Sequence, residues 1–216
     1  MTMPLLHDYW RSSASYRVRI ALNLKRIAYR HHPVDLAAGA QKDAAYRAIN
    51  PQGFVPMLEI DGHAIPQSLA IIDYLDAIFR DPPLVPANAA DRAHVLALAL
   101  AIAADIHPVN NLRILKYLAG SLKQPETARD DWYRHWLAEG LQALEAMAAA
   151  RAGRFLFGDT VTLADICLVP QMYNARRYKL PLDPYPLLVR VDAEAQALEP
   201  FAEAHPDRFV PDVQKS

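Results

Sequence analysis

The chain has 216 residues, 52% of them hydrophobic and 22% charged, with a formal net charge of −1 and no block of like charge. This composition excludes a disordered chain and offers no electrostatic footprint for nucleic acid or an acidic membrane surface. The single cysteine, Cys167, excludes an internal disulfide and suits a reducing cytosol.

The N-terminal MTMPLLHDYW lacks a basic segment followed by a long apolar run, so no signal peptide is expected. Leu5–Tyr9 reads as a short buried strand and Ser15–Lys25 as the first helix, with Tyr16, Ile20 and Leu24 four apart. Tyr29–Val34 is a second strand, and Gln41–Ile49 a short helix ended by Asn50-Pro51. Val55–Ile60 and His63–Ile65 flank Asp61-Gly62, a two-residue hairpin signal. Ser68 then caps the helix LAIIDYLDAIF. The order β-α-β-α-β-β-α, with one crossover and one hairpin, predicts a mixed sheet with helices on its faces.

Arg80–Asp91 carries three prolines without apolar period and reads as a linker. Beyond it strand signals nearly vanish. Arg92–Ala119, Thr127–Ala152, Thr162–Arg177 and Tyr185–Leu198 read as helices of an all-α domain. The longest apolar run, Val95–Ala104, is too short to span a bilayer and reads as a core helix. Thr162-Leu-Ala-Asp165 is a capping box and is given a folding role only. The expected division is residues 1–84, a linker at 85–91, and a helical domain at 92–216.

Three stretches carry chemistry. In RSSASYRVRIAL (residues 11–22), Ser12 and Ser13 lie where a strand turns into a helix. Hydroxyls and unpaired N–H groups there suit an anion, including a thiolate; a plain serine N-cap fits the same residues. Pro56 opens a strand, as an edge proline does; a cis proline would instead expose the Val55 N–H and C=O to an extended ligand. Gln67-Ser68 opens the next helix, where a carboxylate could be held.

The ordered set RSSxSxRVRIAL, NPQGFVPMLEIDG, QSLAIIDYL and GDTVTLADICLVPQ closely resembles zeta-class glutathione transferases, the maleylacetoacetate and maleylpyruvate isomerases, from about Leu5 to about Pro206. The resemblance implies an α/β thioredoxin-like N-terminal domain, an all-α C-terminal domain, glutathione as cofactor and a homodimer; the lone cysteine and the N-terminal pattern lead to the expectation of a cytoplasmic location. It assigns Ser12 to the thiolate and Ser13 to its neighbour at the helix start. Val55 matches the residue that pairs with the cysteinyl backbone, and Gln67 and Ser68 match the γ-glutamyl site. Gln41 falls near the glycine end; His107 and Asn111 are the helical domain's contribution. It implies a reaction in which the thiolate adds to the cis double bond of a maleyl acid, the bond rotates, and the thiolate leaves. The alternative is a general transferase that conjugates haloacids or other small electrophiles. Ala14 stands where the family has a cysteine, which counts against chemistry needing an enzyme thiol.

A maleyl acid is a dianion. Arg11, Arg113 and Arg177 match basic positions of the maleylpyruvate isomerase-like members and are the expected carboxylate ligands, whereas Arg176 is expected to face solvent. No metal site is expected: His31 and His32 are adjacent on a strand and point to opposite faces. Cys167 reads as a buried small hydrophobe.

Overall fold

The computed structural model describes residues 3–211. They fall into two compact units: residues up to Pro83 together with those from Leu198 onward, and Leu84–Ala197.

The first unit runs β1 (Leu5–Asp8), α1 (Ser13–Leu24), β2 (Arg30–Pro33), a 3-10 turn (Ala40–Lys42), α2 (Ala44–Ile49), β3 (Met57–Ile60), β4 (His63–Pro66) and α3 (Ser68–Ile78). The helix expected over Gln41–Ile49 is thus split in two. The sheet order is β2-β1-β3-β4, with β1 and β2 parallel and the other pairs antiparallel. Asp61 and Gly62 both have positive φ (48° and 81°), the backbone that a tight two-residue hairpin requires. Leu6, Ile20, Leu22, Leu58, Ile71 and Leu75 are wholly buried between sheet and helices.

Helix α1 is more than an amphipathic stripe, because Arg17 and Arg19 are both buried. Arg19 is satisfied on every side. It pairs with buried Asp8 at 2.7 Å and donates to the carbonyls of Trp10 at 3.1 Å and Ala204 at 3.0 Å. Its guanidinium also lies 4.4 Å from the centroid of the Phe209 ring. Such full partnering offsets the cost of burying the Arg19 charge. These contacts, with Asn23 Nδ2 donating to Pro200 O at 3.0 Å, tie α10 (Glu199–Glu203) and the 3-10 turn Pro206–Phe209 to the first unit. The helical domain expected over 92–216 therefore gives up its last segment. Lys25 is a second anchor: its ammonium donates to Asp76 Oδ1 at 2.6 Å, Phe79 O at 2.5 Å and Pro82 O at 2.6 Å.

The second unit is helical: α4 (Ala89–Leu100), a π-helical segment (Ala101–Ile106), α5 (His107–Val109), α6 (Leu112–Gly120), α7 (Glu126–Ala148), α8 (Leu163–Arg177) and α9 (Pro186–Gln196). The expected helix Arg92–Ala119 is thus interrupted twice. Pro108 has no N–H to give the preceding turn, and the backbone widens ahead of it, with His107 N–H reaching Ile102 O. Gly140 of α7 lets this wide segment approach: a Cβ there would lie 2.2 Å from Ile106 Cγ1. By length and composition alone the run 89–120 is apolar enough to cross a membrane, which the shorter span Val95–Ala104 does not convey. The capping box forms as expected. Asp165 accepts from Leu156 N, Thr162 N and Thr162 Oγ1, while burial pushes its carboxyl up to about 6.

Candidate functional site

The elements of the first unit expected to meet a ligand are the N-termini of α1 and α3, for an anion, and the strand start at Val55, for an extended backbone. Ser12 is the N-cap of α1, in extended backbone, and its Oγ accepts from Ser15 N–H at 3.2 Å. Its backbone N–H is held by Tyr9 O at 2.8 Å. A capping hydroxyl spends a lone pair and keeps its proton, so Ser12 still has a donor for a thiolate. Ser13, the first helical residue, is buried.

Val55-Pro56 is cis. The ladder of β3 begins only at Met57, and among the described residues no hydrogen bond uses the Val55 N–H or C=O. The loop before it is pinned by Phe54 O, which accepts from Tyr46 Oη at 2.6 Å and Asn50 Nδ2 at 2.7 Å. Gln41 Oε1 is a buried acceptor without a partner. Gly53, at φ 63°, passes so close to Gln41 that a Cβ would sit 2.8 Å from the Gln41 carbonyl oxygen. Gly53 thus brings the turn ahead of Val55 against Gln41.

At α3 the expected arrangement is corrected. Ser68 is not the cap; it is the first helical residue, and the N-cap is Gln67, at φ 70° and without a side-chain cap bond. Positive φ in a non-glycine residue is a strained backbone found at functional positions. Gln67 Nε2 donates to Gln52 Oε1 at 2.8 Å. Ser68 Oγ is buried and accepts from Arg17 Nη1 at 3.3 Å. Gln52 and Arg17 were not among the expected site residues. The signal for Arg17 was an arginine enclosed by Tyr16, Val18 and Ile20, where a solvent-facing charge does not fit.

The residues present fit a peptide-like thiol. The Ser12 proton, the unused backbone of Val55, the orphaned Gln41 Oε1 and the Ser68 hydroxyl are all polar groups still able to bond. Arg11 is exposed, its guanidinium 5.3 Å from the Trp10 ring centroid.

The second unit carries the remaining candidates. His107 opens α5 behind the π-helical segment. Asn111 is the N-cap of α6, its Oδ1 accepting from Arg113 N at 3.1 Å, which leaves its amide N–H groups as donors. Arg113 is exposed in the first turn of α6. Arg177 is exposed near the C-terminus of α8, 5.0 Å from the Tyr178 ring centroid. That ring stacks on buried Tyr133, with centroids 3.5 Å apart. Burial pushes the Tyr133 hydroxyl well above its usual range, and the Arg177 charge opposes that. Arg176 is exposed, as expected, but it also pairs with the fully buried Asp192 at 2.6 Å, which its sequence position does not reveal. His31 bonds to Asp8 and His32 packs on the His7 ring, so they serve separate partners.

Two family models match: "Glutathione S-transferase, N-terminal domain" at residues 6–83 and "Glutathione S-transferase, C-terminal domain" at residues 130–203. The maleylacetoacetate isomerase of Rhizobium meliloti is 50% identical over 96% of this chain and 98% of its own. The holo structure of a bacterial zeta-class maleylpyruvate isomerase superposes with a TM-score of 0.93, at 43% identity over 96% of this chain and 99% of that one. The maleylacetoacetate isomerase of Anaeromyxobacter dehalogenans, with dicarboxyethyl glutathione and citrate in its active site, gives 0.87 at 45% identity over 97% of both chains.

Proposed function

The chain belongs to the glutathione S-transferase family, in its zeta-class maleylacetoacetate and maleylpyruvate isomerase branch, and on that premise we propose that it is a glutathione-dependent cis–trans isomerase of a maleyl acid. The observation that carries this reading is near-complete, 50% identity to a maleylacetoacetate isomerase. The Ser12 hydroxyl, still able to donate at a helix N-terminus, supports it.

When bound, glutathione supplies the nucleophilic thiolate whose reversible addition frees the double bond to rotate. A free thiol titrates near ~8.5, so little is ionised at neutral pH. Ser12, donating from the N-terminus of α1, favours the anion; a fall of ~2 pH units corresponds to ~2.7 kcal/mol. Val55 holds the cysteinyl backbone through its N–H and C=O. Gln67 and Ser68 hold the γ-glutamyl carboxylate, Gln41 meets the glycine end, and His107 and Asn111 add donors. Arg11, Arg113 and Arg177 bind the carboxylates of the substrate. For two of them the support is that Arg11 and Arg177 rest on aromatic rings and enter no ion pair among the described residues. The enzyme works as a cytoplasmic homodimer.

The test is the absorbance change of maleylacetoacetate and maleylpyruvate with and without glutathione, with thiol titrated before and after. Turnover that needs glutathione and leaves its thiol intact is expected; stoichiometric thiol loss would refute isomerisation. Titrating the thiolate absorbance of bound glutathione should show a higher pKa in Ser12→Ala than in Ser13→Ala. An unchanged value in Ser12→Ala would remove Ser12 from its role.

A further inference from the structure

We propose that Arg17 is a positioning residue for the γ-glutamyl end of glutathione, acting through Ser68. The inference rests on the reading above, and it begins with the arithmetic of a hydroxyl. Serine has one proton and two lone pairs, whereas a guanidinium can only donate. Arg17 Nη1 lies 3.3 Å from Ser68 Oγ and takes one of those lone pairs. The Ser68 proton therefore cannot point at Arg17 and is available to an acceptor elsewhere.

Local helix chemistry does not compete for Ser68. A serine at an N-cap would turn its oxygen toward the N–H groups of its own first turn. Here Gln67 is the N-cap, and Ser68 stands one place inside the 11-residue α3. The first turn of α3 contains no acidic residue. Arg17 is 2% exposed and projects from α1, so its charge lies in the protein behind the hydroxyl, where water screens it little. A hydroxyl polarised from behind by a cation donates a stronger hydrogen bond, and its best acceptor is an anion. Ser68 is thereby set as a donor to a ligand carboxylate.

The experiment is calorimetric titration of the full-length protein, wild type, Arg17→Met, Arg17→Lys, Ser68→Ala and Arg17→Met/Ser68→Ala, with glutathione and with cysteinylglycine. The dipeptide keeps the thiol and lacks the γ-glutamyl group. Arg17→Met is expected to weaken glutathione about tenfold or more and cysteinylglycine less than twofold. In the Ser68→Ala background the same change should cost glutathione less than twofold, because the hydroxyl through which Arg17 acts is gone. In turnover, Arg17→Met should raise KM for glutathione and leave kcat at saturating glutathione within twofold. Arg17→Lys fills the same space with a cation, and should lie between wild type and Arg17→Met; it carries the test if the methionine variant does not fold. Equal losses on both thiols, or a full loss persisting without Ser68, would overturn the proposal. Failure of the wild type to bind glutathione at all would instead sink the function on which it rests.

Discussion

Arg176 and Arg177 are adjacent at the end of α8, yet they should fail in opposite ways when removed. Arg176 Nη2 is 2.6 Å from Asp192 Oδ2, and Asp192 has no exposed side-chain surface. Without Arg176 the carboxylate keeps one neutral donor, Gln196 Nε2 at 2.7 Å. Breaking a buried pair costs roughly 3–5 kcal/mol. The Arg176 side chain is 43% exposed, so water already screens part of the interaction, and ~2 kcal/mol is a fair expectation. Burial pushes the Asp192 carboxyl up, and Arg176 is the main opposing influence. Removing Arg176 raises it further. A folded state that holds this proton more tightly than the unfolded one is destabilised as pH rises through the folded value, and relieved as pH falls below it. Arg176→Ala should therefore lose most stability at pH 8 and less at pH 5 in urea denaturation, with kcat/KM of the folded enzyme within about twofold. Arg177→Ala gives up an exposed cation–π contact of ~0.5–1 kcal/mol. If Arg177 binds a substrate carboxylate, a charged hydrogen bond of ~1.5–3 kcal/mol is lost and kcat/KM falls roughly ten- to over a hundredfold. Lys179→Gln, exposed two residues further on, is the control for lost charge. A pH-independent loss in Arg176→Ala, or normal turnover in Arg177→Ala, would refute the respective half of this reasoning.

Two further outcomes follow from packing. Gly140→Ala places a methyl 2.2 Å from Ile106 Cγ1, so the Ile106 side chain, or the π-helical segment that carries it, must shift. A loss of ~1–3 kcal/mol in denaturation is expected, with a raised KM for glutathione if His107 serves that site; an unchanged Tm would show that the segment yields freely. Lys25→Met removes the shared donor of the Phe79 and Pro82 carbonyls and of Asp76 Oδ1. It should cost ~2–4 kcal/mol with glutathione affinity of the folded protein unchanged, and a loss under 1 kcal/mol would contradict the anchoring role.

The parts legible in the sequence were those set by local pattern. The Asp61-Gly62 turn, the Thr162–Asp165 box and the strand–helix order each depend on residues a few positions apart. The family motifs likewise fell in short runs. What escaped depends on distant partners. The apolar neighbours of Arg17 hint at its burial, but its partner Ser68, and the Asp8 and Ala204 partners of Arg19, lie elsewhere in the chain. Arg176 could be told from Arg177 only by knowing where Asp192 lies, on the next helix. The attachment of the tail from Leu198 to α1 is decided by carbonyls, which a sequence does not display.

The same distinction separates hydroxyls that fold the chain from those that serve a ligand, and the destination of the proton decides it. Thr162 Oγ1 accepts from Ala164 N–H and donates to Asp165 Oδ2, so both of its capacities are spent inside the capping box. Ser12 Oγ accepts from Ser15 N–H, and Ser68 Oγ accepts from Arg17. In each of these two the oxygen is pinned from within while the proton is left for a partner outside the chain. Under the proposed function, cap and binding group are compatible descriptions of Ser12. The cap fixes the oxygen at the positive end of α1, and the fixed oxygen presents its proton where a thiolate gains most from it.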